Sequence, residues 1–467
     1  MTKSAETTLQ RRFMQKFIGK MEDFIAEGSI EDKVFWADHQ VLGPMFAALR
    51  VFMSMNDVLV IIVGAKGCAY HLNFTMVAWG ELDFFLGKRP LPVLEFTQLQ
   101  IINGNYAIPD LWLKSLINLV TKSKYNRIIL MPTDSILISG GELTTVALEI
   151  ARATGIETTP LTISAISSAN QWAGYNAALH TLYEPYMERQ FTKTPTVNLV
   201  GWMWPSRHRG HEIGCCLDML GELGIEVNTV ISGGIDIADI EKSMTASANA
   251  VVCSAIMGDM LDQLDRKGVA LAGSRAPYGF SGTREWLSSI AKALGKNVNR
   301  RIDYMEQRYY SAFSLNKKEL KHKKVFVSGG PGRLVGLLHA LNDYEMDIQV
   351  AAMFWPHEWS KSDIRHMLEQ HHVKTDLFIL SPGLDDLEWV AANYDIDVWL
   401  GGYQDQHVCK RHHIPFVPIT VYQVPHVGFE GIINLGNKLI MALNGHSFVD
   451  NAYIANDIGG YICQPVH

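Results

Sequence analysis

The sequence predicts an α/β protein built from three doubly wound parallel-sheet domains. Three observations carry that expectation. Short β-branched runs recur along the chain, each is followed by a loop rich in Gly, Ser or Pro, and the loops lead into stretches of helical periodicity. Strand and helix alternation of this kind folds as parallel strands with helices on both faces.

The strand candidates are Val58–Val63, Arg127–Met131, Thr196–Val200, Ala250–Ser254, Lys324–Val327, Asp347–Ala352, Asp376–Leu380 and Asp397–Leu400. Helical patterns lie between them, as at Glu142–Thr154, Gly210–Leu223, Thr283–Leu294 and Leu334–Leu341. Two segments mark boundaries. Phe191-Thr-Lys-Thr-Pro195 is polar and contains a proline, and the charge run from Leu315 to Lys324 also leads into a new strand. The chain therefore divides into α/β domains at residues 31–194, 195–322 and 323–467. Residues 1–30 read as a charged amphipathic helical arm that packs on a partner.

Composition excludes several classes. At 467 residues and 48% hydrophobic content the chain can bury a large core, and its length suits about three domains. A net charge of −7 lacks the basic footprint of a nucleic-acid binder. No signal peptide is expected, because Met1–Gln10 is polar and no apolar stretch with a cleavage site follows. No run approaches the roughly 18 apolar residues of a membrane span. Six cysteines (Cys68, Cys215, Cys216, Cys253, Cys409 and Cys463) form no disulfide framework, so a reducing cytoplasm is expected.

In open α/β sheets, ligands bind beyond the carboxyl ends of the strands. The loops after strands are therefore where chemistry is sought. In Val60-Ile-Ile-Val-Gly-Ala-Lys-Gly-Cys68-Ala-Tyr a buried strand ends in a two-glycine loop, and a cysteine follows where a helix begins. Backbone N–H groups at such a start favour the thiolate, which can ligate a metal. A buried structural cysteine is the alternative. Met131-Pro-Thr-Asp-Ser135 belongs to the same crevice; Asp134 is either an acid or acceptor there, or a helix cap. His39, His71 and Asp134 are proton-donor candidates by location.

Other motifs read as structure. Val327-Ser-Gly-Gly-Pro-Gly-Arg333 lacks the spacing of a nucleotide loop and reads as a tight βα turn. His407-Val-Cys409-Lys-Arg-His412-His413 has no second cluster to complete a zinc site and reads as a basic helix end. Cys215-Cys216 sits in an apolar helix face, and Cys253 falls in a strand. Trp202-Met-Trp-Pro205 and Phe354-Trp-Pro356-His-Glu-Trp359 follow strands and either line a pocket for a flat ring, close an interface, or pack between domains.

Three Rossmann-like domains with a cysteine in the first crevice resemble the subunits of nitrogenase-like oxidoreductases, component 1, from about Val34 to beyond Gly431. Three stretches look most like the Y-type subunits of chlorophyllide a reductase. They are Gly64-Ala-Lys-Gly-Cys-Ala-Tyr-His-Leu-Asn-Phe-Thr75, the segment from Val269 to Leu287, and Trp355-Pro-His-Glu-Trp-Ser-Lys-Ser-Asp363. The resemblance implies a heterotetramer with a Z-type subunit that shares a [4Fe-4S] cluster, with Cys68 as a cluster ligand. It also implies a partner resembling nitrogenase iron protein, which alone carries ATP and magnesium and supplies electrons. The implied substrate is a chlorin reduced at the C7=C8 double bond of ring B. Dark-operative protochlorophyllide reductase belongs to the same group.

The sequence departs from that pattern at two places. The resemblance calls for three cysteines, but Gly43 stands at the first and Leu130-Met131 at the third. Four ligands ordinarily hold such a cluster. Three explanations stay open: the partner supplies the remaining ligands, the cluster is of an unusual kind, or the chain has become a scaffold without a redox centre.

Overall fold

Residues 17–26, 43–67, 70, 92–96, 100–101, 103–104, 106–138, 143–161, 163, 171–202, 209–231, 234–402, 405–419 and 425–445 are described by a computed structural model. Ile18–Gly19 (β1) and Met21–Ala26 (α1) come first. Pro44–Met53 (α2), Val58–Val63 (β2), Val93–Leu94 (β3), Asp110–Thr121 (α3), Arg127–Pro132 (β4), Asp134–Ile138 (α4), Thr144–Thr154 (α5), Glu157–Pro160 (β5) and Gln171–Met187 (α6) follow. Strands β3-β2-β4-β5 form a parallel sheet in that order. Every residue of β2 is buried, as a strand covered on both faces requires, and this is why it reads as an uninterrupted apolar run. Its alternate residues Leu59, Ile61 and Val63 join Ile128 and Leu130 of β4, Leu116 and Val120 of α3, and Val146 and Ile150 of α5 in one core. Each such side chain contributes roughly 1.5–3 kcal/mol by leaving water.

The second sheet uses Thr194–Val200 (β6), Val227–Ile231 (β7), Ala246–Val251 (β8) and Ala270–Ala272 (β9), ordered β7-β6-β8-β9 and parallel throughout. Its helices are Arg209–Glu222 (α7), Ile237–Ser243 (α8), Ser254–Met257 (α9) and Met260–Arg266 (α10); Gly279–Ala293 (α11) follows, and then Asn299–Leu320 (α12), whose Asn316 donates to Asn437 (3.0 Å). Strand β8 begins and ends earlier than the expected Ala250–Ser254, since Ala246, Ala248 and Asn249 already pair with β6. Cys253 instead stands at the N-cap of α9 and bridges antiparallel to Arg275. A buried amide ladder crosses the sheet. Asn198 Nδ2 donates to Asn249 Oδ1 (2.9 Å), and Asn228 Nδ2 donates to Asn198 Oδ1 (3.0 Å).

The third sheet contains Lys324–Gly329 (β10), Asp347–Met353 (β11), Leu377–Leu380 (β12), Val398–Gly401 (β13) and Phe416–Pro418 (β14), with helices Pro331–Asp343 (α13), Glu358–His371 (α14), Leu384–Asn393 (α15), Asp405–His412 (α16) and Gly428–Leu443 (α17). The order is β1-β12-β11-β10-β13-β14, with β1 antiparallel at the edge and the rest parallel. The architecture is thus α/β with doubly wound parallel sheets.

Two sequence expectations change. Residues 17–26 are not one continuous helix: Phe17 leads into β1 at Ile18, and Phe17 and Phe24 pack their rings on Phe378 at 6.3 and 5.3 Å. The charge run from Leu315 leads into β10 as expected, but its first part is helical, since α12 continues to Leu320. Lys317 and Lys321, one turn apart on and just beyond that helix, both pair with Glu345 (2.7 and 2.6 Å).

By contacts the chain divides into two compact units. One comprises residues 1–40, 277–284 and 300–467, and the other residues 41–276 and 285–299. The first and second sheets lie in the same unit, where α6 packs on α2 and also on α8, α9 and α10. Gly174 of α6 comes so close to α2 that a Cβ there would meet the Pro44 carbonyl oxygen, and Arg50 of α2 donates to the Tyr175 hydroxyl (3.1 Å). No described helix is long and apolar enough to cross a membrane.

Candidate functional site

In each sheet the first parallel strand lies inside, so the winding reverses at β2/β4, β6/β8 and β10/β13. A crevice opens beyond the carboxyl ends of the strands at such a reversal. The first of these is where the chain carries Gly64 to Cys68.

Three strand ends are tied together there. The Gly64 N–H donates to the Leu94 carbonyl (3.0 Å), and the Thr133 N–H donates to the Val63 carbonyl (2.8 Å). Gly64 has φ +139°, and a Cβ on it would fall on the Thr133 side chain. Glycine is thus required by both the backbone conformation and the close approach. Thr133 is buried, and its Oγ1 shares a hydrogen bond with Ser135 Oγ (2.8 Å). Asp134 between them is half-buried and opens α4 as its first-turn acid, the helix-start role, which does not exclude the acid or acceptor role.

The loop toward Cys68 has a further tether. The Lys66 N–H donates to Glu95 Oε1 (2.8 Å), and Lys66 Nζ pairs with Glu95 Oε2 (3.2 Å). That backbone N–H is the main reason the Glu95 carboxyl lies below its usual range, with the Lys66 ammonium adding to it. Lys66, Gly67 and Tyr70 are helical. Cys68 itself lies outside the described residues, as do His39 and His71. The sequence places Gly64 in the two-glycine loop and Thr133 in the Met131–Ser135 motif without pointing to their contact, and it places Glu95 in no motif. Gly64 follows a strand in a glycine-containing loop, which was a usable signal; Glu95 follows a two-residue strand and had none.

The described residues test whether the chain fits an iron–sulfur cluster. Gly43 is the N-cap of α2 and offers no side chain. Leu130 and Met131 are fully buried in β4, Leu130 within the first core. Two of the described cysteines are poorly suited as well. Cys216 and Cys409 are buried, and burial raises both thiols well above their ordinary range. Gly43, Leu130 and Met131 therefore supply no ligand, and Cys68 and Cys463 lie outside the described residues.

In the remaining motifs several described residues make local structural contacts. A Cβ at Gly330 would lie 2.7 Å from the Trp355 ring, so indole fills the space above the Gly-Gly-Pro turn. Trp355 itself adopts φ +39°. His357 caps α14, its Nδ1 accepting from the Trp359 N–H (3.2 Å), and burial pushes its imidazole down to about 3, so it is neutral. On α16, Cys409 faces the core while His407 is exposed, and His412 meets Glu388 (2.8 Å). Trp202 is buried; residues 203–208 lie outside the described residues.

Comparison with known proteins agrees with this geometry. The model of the family "Nitrogenase component 1 type Oxidoreductase" matches residues 43–444. The B-type component of the light-independent protochlorophyllide reductase of Acidiphilium rubrum is 24% identical over 439 residues, covering 86% of this chain and 81% of that protein. The nitrogenase iron-molybdenum cofactor biosynthesis protein NifE of Klebsiella pneumoniae is 23% identical over 270 residues, 56% of each chain. The solved structure of nitrogenase Cp1 at pH 6.5 superposes with a TM-score of 0.68 at 16% identity, covering 88% of this chain and 90% of that one, which shows the shared fold. With a crevice of this construction and a family match that runs through all three sheets, the chain belongs to the nitrogenase component 1 type oxidoreductases.

Proposed function

We propose that this chain is one subunit of a nitrogenase-like reductase acting on a chlorin, in the manner of chlorophyllide a reductase at the C7=C8 double bond. The observation that carries the reading is the β2/β4 crevice, whose Gly64–Thr133 contact and Lys66–Glu95 tether fix the loop leading to Cys68. The likeness to a component of protochlorophyllide reductase over most of both chains supports the substrate class.

In this reading Cys68 is the single ligand the chain gives to a [4Fe-4S] cluster. A Z-type partner supplies the others, since Gly43, Leu130 and Met131 cannot. ATP and magnesium stay with a separate iron-protein-like reductase. The three sheets correspond to domains at 31–194, 195–322 and 323–467, and the assembly works in the reducing cytoplasm. The chain's own residues hold the crevice open and positioned.

The test is anaerobic purification of the intact complex with measurement of iron and visible absorbance, for the native chain and for Cys68→Ser. Bound iron that falls in the variant is expected. Iron at background in an intact native complex would overturn the reading.

A second reading has its own observation. The missing thiols and the likeness to a cofactor biosynthesis protein suit an assembly scaffold without a resident cluster. That reading requires background iron in the native complex and no effect of Cys68→Ser on assembly.

A further inference from the structure

We propose that a cavity at the amino-terminal edge of the second sheet binds a small phosphate-bearing anion. This edge is opposite to the crevices at the carboxyl ends, and the inference does not depend on the reductase reading. The cavity has a volume of about 430 Å³ and is lined by Arg189, Phe191, Lys193, Met244, Arg266 and Lys267 among others. Four of these side chains are cationic, and among the described residues no carboxylate lines the space.

The cations arrive from three elements. Arg189 and Lys193 lie between the end of α6 and the start of β6, Arg266 is the last residue of α10, and Lys267 follows it. Helix carboxyl ends attract positive charge, which is the ordinary explanation for such residues. It accounts for part of the set. Lys193 Nζ donates to the Met244 carbonyl just beyond α8 (2.6 Å). Arg189 pairs with Glu241, its guanidinium set between the Tyr186 and Phe191 rings at 5.4 and 5.1 Å. The side chains of Arg266 and Lys267 have no ion pair among the described residues. Three helix ends contribute roughly half a negative charge each, which together with Glu241 still leaves an excess of positive charge.

Several cations held close together repel one another, and Lys193 is partly desolvated as well, which draws its ammonium below the ordinary lysine range. An anion in the cavity relieves both costs. Phosphate oxygens suit the site better than one carboxylate, because they can accept from Arg266 and Lys267 together. The volume is large enough for a diphosphate with an organic group attached.

The experiment is calorimetric titration of the full chain in its native complex with inorganic pyrophosphate and, separately, with ADP. Each is run at about 0.05 M and about 0.3 M salt, where charge screening differs strongly. Saturable binding that weakens with salt is expected. It should fall about 10- to 100-fold in the double variant Arg266→Gln, Lys267→Gln, since two charge-assisted contacts are lost. Arg266 is exposed and Lys267 half-buried, so the variant should keep the native melting temperature. Tighter binding of ADP than of pyrophosphate supports the proposal with a nucleotide as source, and the reverse order supports it with an inorganic source. No saturable binding of either, or an unchanged affinity in the double variant, overturns it.

Discussion

Replacing Gly64 by Ala should loosen the first crevice without touching any candidate ligand. The added Cβ would lie 1.9 Å from Thr133 Oγ1 and 2.9 Å from Thr133 Cβ, at a backbone φ of +139°. The backbone strain costs about 1–3 kcal/mol, and forcing a methyl against a buried side chain adds about 1–3 kcal/mol. Some is recovered as the loops part, so a loss of about 2–4 kcal/mol is expected at β2 and β4. That corresponds to a roughly 30- to 700-fold loss of amide protection there, at about 1.4 kcal/mol per factor of ten. Hydrogen exchange with mass spectrometry on peptides spanning 58–67 and 127–138 reads it directly. Gly67→Ala is the control, since a Cβ there meets nothing within 4 Å, and it should change protection little. Equal protection in Gly64→Ala and Gly67→Ala would refute the close-approach argument. Removing most of the opposing side chain with Thr133→Ala should then recover part of the loss in the double variant, but not the backbone strain.

Three further outcomes follow from single contacts. Hydrogen bonds from Lys317 and Lys321 hold the Glu345 carboxyl down to about 2 from an ordinary 4.5. Its stabilising effect is therefore full above about 4.5 and lost as pH falls through about 2, so the melting-temperature gap between the native chain and Glu345→Gln should close over that window; a gap independent of pH would count against it. Asp405 is fully buried and accepts from Ser328 Oγ (2.8 Å) and Trp399 Nε1 (3.2 Å). Asp405→Ala leaves both donors stranded and should cost about 2–4 kcal/mol by urea unfolding; a change below about 0.5 kcal/mol would show that the contacts are incidental. Cys216 and Cys409, buried and with raised thiols, should react with maleimide at neutral pH only after unfolding, as mass spectrometry of quenched samples would reveal.

Much of the fold could be read from local pattern because its central strands are covered on both faces. Val58–Val63 has the bounds that its apolar run predicts, and β10 and β11 begin where expected. What escaped notice lacked that signal. Strand β7 interrupts its apolar residues with Asn228, which serves the amide ladder, and with Thr229, and β1 and β3 have only two residues each. Helix α12 buries Ile302, Met305, Phe313, Asn316 and Leu320 among many charges, so its end reads as a boundary segment rather than as helix. The site was visible only in outline. Gly64 and Lys66 stood in a recognisable loop, but their partners Thr133 and Glu95 come from other strands, and no local spacing announces a contact made by tertiary folding.

Helix α6 also changes how the chain should be cut. The polar segment at 191–195 looks like a natural place for a truncation, yet α6 stands just before it with partners on both sides. Tyr183 meets Ser243 (3.0 Å), His180 meets Gln263 (3.2 Å) and Asn176 meets Asp259 (3.2 Å), all beyond the cut, while Gly174 and Tyr175 face α2 before it. A fragment ending near residue 190 would expose the side of α6 that the second sheet's helices normally cover. Expression of the first sheet alone should therefore give an aggregation-prone product, whereas a fragment that keeps the second sheet's helices retains the cover.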